Sequence, residues 1–152
     1  MINAPSPVFV IISWAGLAAG VAAFLIGLWN SLLPRNEQGF FFTVLMYGLF
    51  AAVAVQKSVR DKAEGVRVNQ MFYGISWFSA ILAVLLLALG VFNAELALSE
   101  KGFYVMSYLL ALFGAITVQK NARDLEQFAQ LQDKPGNAPE PTQDQTDHPE
   151  AS

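Results

Sequence analysis

The chain has 152 residues, of which 55% are hydrophobic and only 14% charged, with a formal net charge of -3. A soluble domain carries about a quarter charged residues, so this shortfall points to an integral membrane protein. The net charge is deceptive, because half of the acids lie from Glu126 onward, outside the apolar runs. Without cysteine there is no disulfide framework and no thiolate chemistry. The only histidine, His148, lies near the C-terminus, which argues against histidine metal sites and Ser-His catalysis.

Four uncharged runs follow in order, at about 8–29, 39–56, 71–92 and 102–119. Each approaches the roughly 20 residues that a helix needs to cross a ~30 Å hydrocarbon core. Helices are expected because a spanning segment must satisfy its backbone groups internally. The first run lacks a preceding Lys or Arg and is too long for a signal core, so it is read as a retained span.

The runs form a tandem repeat: 9–61 returns as 72–124 at a constant offset of 63 positions. Ser13-Trp14 returns as Ser76-Trp77, Gly27 as Gly90 and Asn30 as Asn93. Glu37-x-Gly39-Phe40 returns as Glu100-x-Gly102-Phe103. Gln56-Lys57-x-x-Arg60-Asp61 returns as Gln119-Lys120-x-x-Arg123-Asp124. The expected fold is an all-α membrane protein with four transmembrane helices. They form two tandem helical hairpins, repeated in parallel and assembled as a bundle. The expected boundaries are 8–67 and 71–130 for the two-helix repeats and 132–152 for a disordered cytoplasmic tail. That tail is rich in Pro, Asp, Glu, Gln and Thr.

Basic residues set the expected orientation. Lys57, Arg60, Lys62 and Arg67 follow the second run, and Lys120, Arg123 and Lys134 follow the fourth. The two shorter loops hold only Arg35 and Lys101. Both termini are therefore expected in the cytoplasm, and both repeats run the same way across the membrane.

The repeated motifs name the candidate residues. At the cytoplasmic ends, helical spacing places Gln56 one turn from Arg60 and Lys57 one turn from Asp61, as again in the second copy. One reading is a membrane-exit collar engaging anionic headgroups. The other is a twofold site for an anion, a lipid headgroup or a protein partner. Ser13-Trp14 and Ser76-Trp77 lie on the same side, either anchoring and packing the helices or lining that cluster. On the periplasmic side, Asn36 and Ser99 suit helix N-caps, and Glu37 and Glu100 suit the first helical turn. Asn30 and Asn93 end the first and third spans, while Gly39 and Gly102 permit close approach. The duplicated carboxylates also offer a cation or proton site.

Small residues in the first run, including Gly16-x-x-x-Gly20, suit close helix packing. Their counterparts Ser79 and Ala83 do not keep the motif, so the repeats are expected to be non-equivalent. No Asp, Glu, Lys, Arg or His lies within a run. That argues against ion-coupled transport, which uses a buried ionisable group.

Taken in order, Ser-Trp, Gly-Leu-Trp-Asn, Glu-x-Gly-Phe and Gln-Lys-x-x-Arg-Asp resemble the YiaA/YiaB family of bacterial inner-membrane proteins. The resemblance covers about 8–125, and two copies in one chain resemble the YiaA-like arrangement. The second copy is looser, with Phe92 for Trp29 and Leu125 for Lys62. The resemblance implies a plasma-membrane location and topology, and it carries over no catalytic residue. The expected role is a non-enzymatic structural or interaction module without a cofactor, metal or nucleic-acid partner. Its expected contacts are membrane lipids and further copies of itself. A small transporter or channel for a polar solute is the alternative, with Tyr47, Tyr73 and Tyr108 among residues available to line a path.

Overall fold

The computed structural model describes residues 3–133. It contains α1 (Pro7–Trp29), α2 (Arg35–Ala63), α3 (Gln70–Asn93) and α4 (Leu98–Gln132). All four are long and apolar enough to cross a membrane. Of the tail expected at 132–152, Gln132 belongs to α4, and positions from 134 onward lie outside the described residues.

Local chemistry sets the helix ends. Ser6 caps α1 by accepting from the Phe9 N–H at 3.3 Å, with Pro7 in the first turn. Asn69 caps α3 by accepting from the Met71 N–H at 2.9 Å. At the end of α2, Gly65 takes φ +75°. The Val66 N–H then reaches the Asp61 carbonyl at 2.9 Å, and the Gly65 N–H reaches Lys62 at 3.3 Å. This is a Schellman stop, which favours glycine in the left-handed region. The equivalent position in the second repeat is Phe128, and α4 continues to Gln132. At ~1.5 Å per residue, α2 is about 43 Å long and α4 about 52 Å. Both exceed a ~30 Å hydrocarbon core.

The N-cap expectation needs correction. α2 and α4 begin at Arg35 and Leu98, so Asn36 and Ser99 lie inside the first turn rather than at the caps. The cap positions are Pro34 and Ala97. Pro34 enters the helix with φ −56° and has no N–H to leave unpaired. Glu37 and Glu100 each stand at the third helical position. Glu100 accepts from the Ala97 N–H at 2.9 Å, whereas Pro34 offers no such donor to Glu37.

Packing partners are exchanged between the repeats. α1 packs chiefly against α4, and α3 against α2, while contact within each hairpin is slight. α2 and α4 form the short diagonal of the bundle. At the diagonal, Phe41 of α2 stacks on Tyr104 of α4, its counterpart in the repeat, with centroids 5.7 Å apart and planes 18° apart. Phe24 of α1 meets the Tyr104 ring edge-on at 5.4 Å. The Tyr108 hydroxyl donates to the Val44 carbonyl at 3.1 Å, beside Gly48, where any Cβ would collide with the phenol.

Gly20 and Gly114 determine the tight α1–α4 pair. A Cβ on Gly20 would lie 2.5 Å from the Ala111 backbone nitrogen, and one on Gly114 would lie 2.6 Å from Leu17 Cα. Gly16 is looser, with Leu110 Cδ1 at 4.0 Å as its nearest neighbour. In the α2–α3 pair the corresponding residues are Ala83 and Ala51, both buried, so a methyl stands at each position where the α1–α4 pair has none. This is the non-equivalence that the broken glycine motif predicts. By contrast, a Cβ at Gly39 or Gly102 meets nothing within 4 Å. The expected close approach does not occur there, because both lie on the exposed side of a first helical turn.

Gly20→Ala should therefore lower unfolding stability in detergent by about 1–3 kcal/mol, the usual range for overpacking. Gly39→Ala should be neutral or stabilising by up to about 1 kcal/mol through helix propensity. Thermal or denaturant melts of the two variants side by side check the contrast.

Candidate functional site at the basic end of the bundle

The Gln-Lys-x-x-Arg-Asp segments meet where α2 and α4 emerge together. Arg60 donates to Asp124 and Arg123 donates to Asp61, so each repeat's arginine neutralises the other repeat's aspartate. Within each helix, Lys57 lies 2.8 Å from Asp61 and Lys120 lies 3.0 Å from Asp124. Glu64 closes the network: it accepts from Arg60 at 2.9 Å, Arg123 at 3.0 Å and Gln127 at 2.8 Å. Four cations (Lys57, Arg60, Lys120, Arg123) thus face three carboxylates (Asp61, Glu64, Asp124). The end is far less basic than the Lys and Arg count suggests.

The i, i+4 lysine pairs follow the spacing legible in the sequence. The crossed Arg-Asp pairs do not, because they need α2 beside α4. Their one sequence signal is that arginine and aspartate are both kept in both copies. Glu64 and Gln127 carried no such signal, since they differ between copies. Gln56 and Gln119 are half-buried at the edge of the network, and neither has a hydrogen-bond partner among the described residues. The lysines remain most available: their side chains are 56% and 51% exposed, against 13–23% for the crossed aspartates and arginines.

A second layer lies one turn inward. Buried Ser13 of α1 accepts from Asn121 of α4 at 3.0 Å, and Ser76 of α3 lies 3.4 Å from the Ser58 hydroxyl of α2. Ser58 and Asn121 are counterparts in the repeat, so the Ser of each Ser-Trp pair is used in a cross-repeat contact. Sequence reading missed these partners because serine and asparagine differ in name while doing the same work. Ser13 and Ser76 also donate to Phe9 and Phe72 carbonyls, each at 2.7 Å. Trp14 and Trp77 point outward and are exposed, which suits an interfacial belt.

At the opposite end, the repeated residues again act in trans. Phe103 packs over Gly27 and Phe40 over Gly90, where a Cβ would lie 2.6 Å and 2.5 Å from the rings. Asn30 and Asn93 donate to carbonyls of their own helices at 2.8 Å and 2.7 Å. They line a cleft of about 630 Å³ with Glu37, Glu95 and Glu100. Among the described residues no group of three or more His, Cys, Asp or Glu side chains is placed to hold a metal. Between the two ends the centre is filled by Phe24, Phe41, Leu45, Tyr108 and Ala111. A polar stripe from the asparagines to Gln56 and Gln119 is not formed, which weighs against a solute path. Tyr47 is half-buried outside this core, and Tyr73 lies under the Lys62 ammonium at 4.7 Å.

The family description "yiaA/B two helix domain" matches residues 9–61 and 72–124. The chain belongs to the YiaA/YiaB family. It is 48% identical over 123 residues to "Inner membrane protein YiaA" of Escherichia coli (strain K12), covering 81% of this chain and 85% of that protein. Identity to the same organism's "Inner membrane protein YiaB" is 29% over 103 residues, or 68% of this chain and 88% of the relative. "Uncharacterized membrane protein YubF" of Bacillus subtilis (strain 168) is 39% identical over 54 residues, 35% of this chain and 62% of the relative. No solved structure gives a significant match. The protein is a multi-pass inner-membrane protein, and the two-helix unit of the YiaA/YiaB family is the repeat whose retained residues meet in trans above.

Two predictions follow from the clamp. Arg60→Asp should loosen the α2–α4 ends, and adding Asp124→Arg should restore them by reversing the pair; cross-link yield between the ends reads both states. The second prediction concerns pH. Lys57, then Arg123, hold the Asp61 carboxyl below its usual 3.8, and Arg60, Gln127 and Arg123 hold Glu64 below 4.5. At Asp124 burial pushes upward, but Arg60 and Lys120 outweigh it. These groups lie beyond the apolar runs. Carboxylates with depressed values stabilise the folded state above their unfolded values, and that contribution fades as pH falls through the folded ones. The distance between spin labels at Ala63 and Ala122 should hold steady down to about pH 5 and widen below about pH 4.

Proposed function

We propose that this YiaA/YiaB-family protein is a non-enzymatic module of the inner membrane whose clamped end contacts anionic lipid headgroups. The carrying observation is the division of labour among its charges. Arg60, Arg123, Asp61 and Asp124 are consumed in crossed pairs, while Lys57 and Lys120 stay half-exposed at the end toward which the Ser-Trp pairs also lie, with Trp14 and Trp77 exposed. Ammonium groups and interfacial tryptophans at one end of the bundle match the chemistry of a phosphate-bearing surface. The clamp keeps both lysines at one depth. The basic residues around this end support a cytoplasmic placement for it and for both termini. The repeats at 8–67 and 71–130 then act as one unit, and the packed apolar centre supports an interaction role over transport.

The test is native mass spectrometry of gently extracted protein. Wild type should retain anionic over zwitterionic phospholipid. Lys57→Gln/Lys120→Gln should weaken that preference by up to about 2 kcal/mol, at ~1 kcal/mol per basic residue near the surface. Arg60→Ala/Arg123→Ala should act indirectly, by loosening the helix ends. Identical lipid retention in all three proteins would sink the proposal and turn the search to protein partners.

A further inference from the structure

The sequence repeat implies two matching side walls, but the side chains that build them differ. On the α1–α4 side, Leu17 is pressed against the Gly114 backbone. On the α2–α3 side, Ala80 stands in the place of Leu17 and Ala51 in the place of Gly114. The smaller side chain at Ala80 borders a groove of about 220 Å³ between α2, α3 and α4. Its walls include Ala52, Val55, Ala80, Val84 and Leu112, with Gln56 and Trp77 nearest the basic end.

We infer that this groove binds one acyl chain of a membrane phospholipid, with the lipid's ester and phosphate region at Gln56. Three observations commit the occupant. First, the walls belong to helices long and apolar enough to span the bilayer, so the groove's natural solvent is lipid tail. Second, the groove begins beside Trp77, at the depth of the Ser58–Ser76 contact, and runs inward past Val84; a phospholipid tail descends along the same course from its headgroup. Third, its only amide side chain is Gln56, half-buried and without a hydrogen-bond partner among the described residues. The volume is below the roughly 300–1,000 Å³ of pockets that enclose a drug-sized ligand, so the groove takes a segment of one chain and not a bulky solute. The site differs from the headgroup contacts proposed above, since it reads the tail. It rests on the lipid reading for its headgroup alone.

The experiment uses the full chain in phosphatidylethanolamine nanodiscs containing low fractions of lipid brominated on its acyl chain. Tryptophan fluorescence is read in two single-tryptophan backgrounds, Trp77 alone (Trp14→Phe, Trp29→Phe) and Trp14 alone (Trp29→Phe, Trp77→Phe). The expected result is stronger quenching of Trp77 than of Trp14, reduced to the Trp14 level by Ala80→Leu, which installs the other repeat's residue. The reciprocal Leu17→Ala should open the other wall and raise Trp14 quenching, so the inference stays testable if Ala80→Leu fails to fold. Equal quenching of the two tryptophans, or Trp77 quenching indifferent to Ala80→Leu, overturns it. A dimer in native mass spectrometry that dissociates on Ala80→Leu overturns it in favour of a second copy as occupant. Because the lipid is zwitterionic, the result does not depend on Lys57 and Lys120. Loss of the headgroup preference with retention of the Trp77 excess would remove the earlier proposal alone.

Discussion

Everything in this bundle depends on the exchange of helix partners between repeats. Lipid gives no hydrophobic reward for bringing two apolar helices together, so association rests on close packing and on polar contacts between helices. Within a hairpin α1 barely touches α2, and α3 barely touches α4. A single repeat therefore has almost no interior, and its packing surface is completed by the other copy. The residues kept between copies are mostly those that serve this exchange: Ser13 and Ser76 near one end, Gly27 with Phe103 and Gly90 with Phe40 at the other.

The crossed Arg-Asp pairs apply the same logic to charge. A lone arginine at the end of a span is held by water and headgroups, and an exposed ion pair contributes at most about 1 kcal/mol. Here each arginine is partly buried against the other repeat's aspartate, and Glu64 ties both arginines to Gln127. Several charges in one network hold geometry better than separate pairs, because breaking one contact leaves its neighbours under-paired. The clamp fixes the spacing of α2 and α4 where they leave the membrane, and so the positions of the lysines beside them.

Pseudo-symmetry then makes each departure from it informative. Gly65 stops α2, whereas Phe128 lets α4 run on into water. Gly20 and Gly114 bring one helix pair to backbone contact, and the positions opposite carry buried alanines. Tyr108 in place of Leu45 inserts a hydroxyl that needs the Val44 carbonyl and the space above Gly48. None of these changes disturbs the shared frame of crossed Arg-Asp pairs, serine contacts and Gly-Phe contacts.

The number of spans, their parallel repetition and the family were legible in the sequence, because length in apolar residues and identity at a fixed offset are local properties. The lysine-aspartate pairs were legible for the same reason, being one helical turn apart. Which helix packs on which was not, because a short loop says that two helices are neighbours in the chain and nothing of how much surface they share. Arg60 meeting Asp124, Ser13 meeting Asn121 and Phe40 covering Gly90 all required that arrangement first. So did the reversal at Gly39 and Gly102, glycines that look like contact points in the sequence and face open space in the fold. The sequence by itself determined what could cross a membrane and what was repeated. The tertiary structure decided which repeated residues meet, because only side-by-side packing of α2 and α4 brings residues some sixty positions apart within bonding distance.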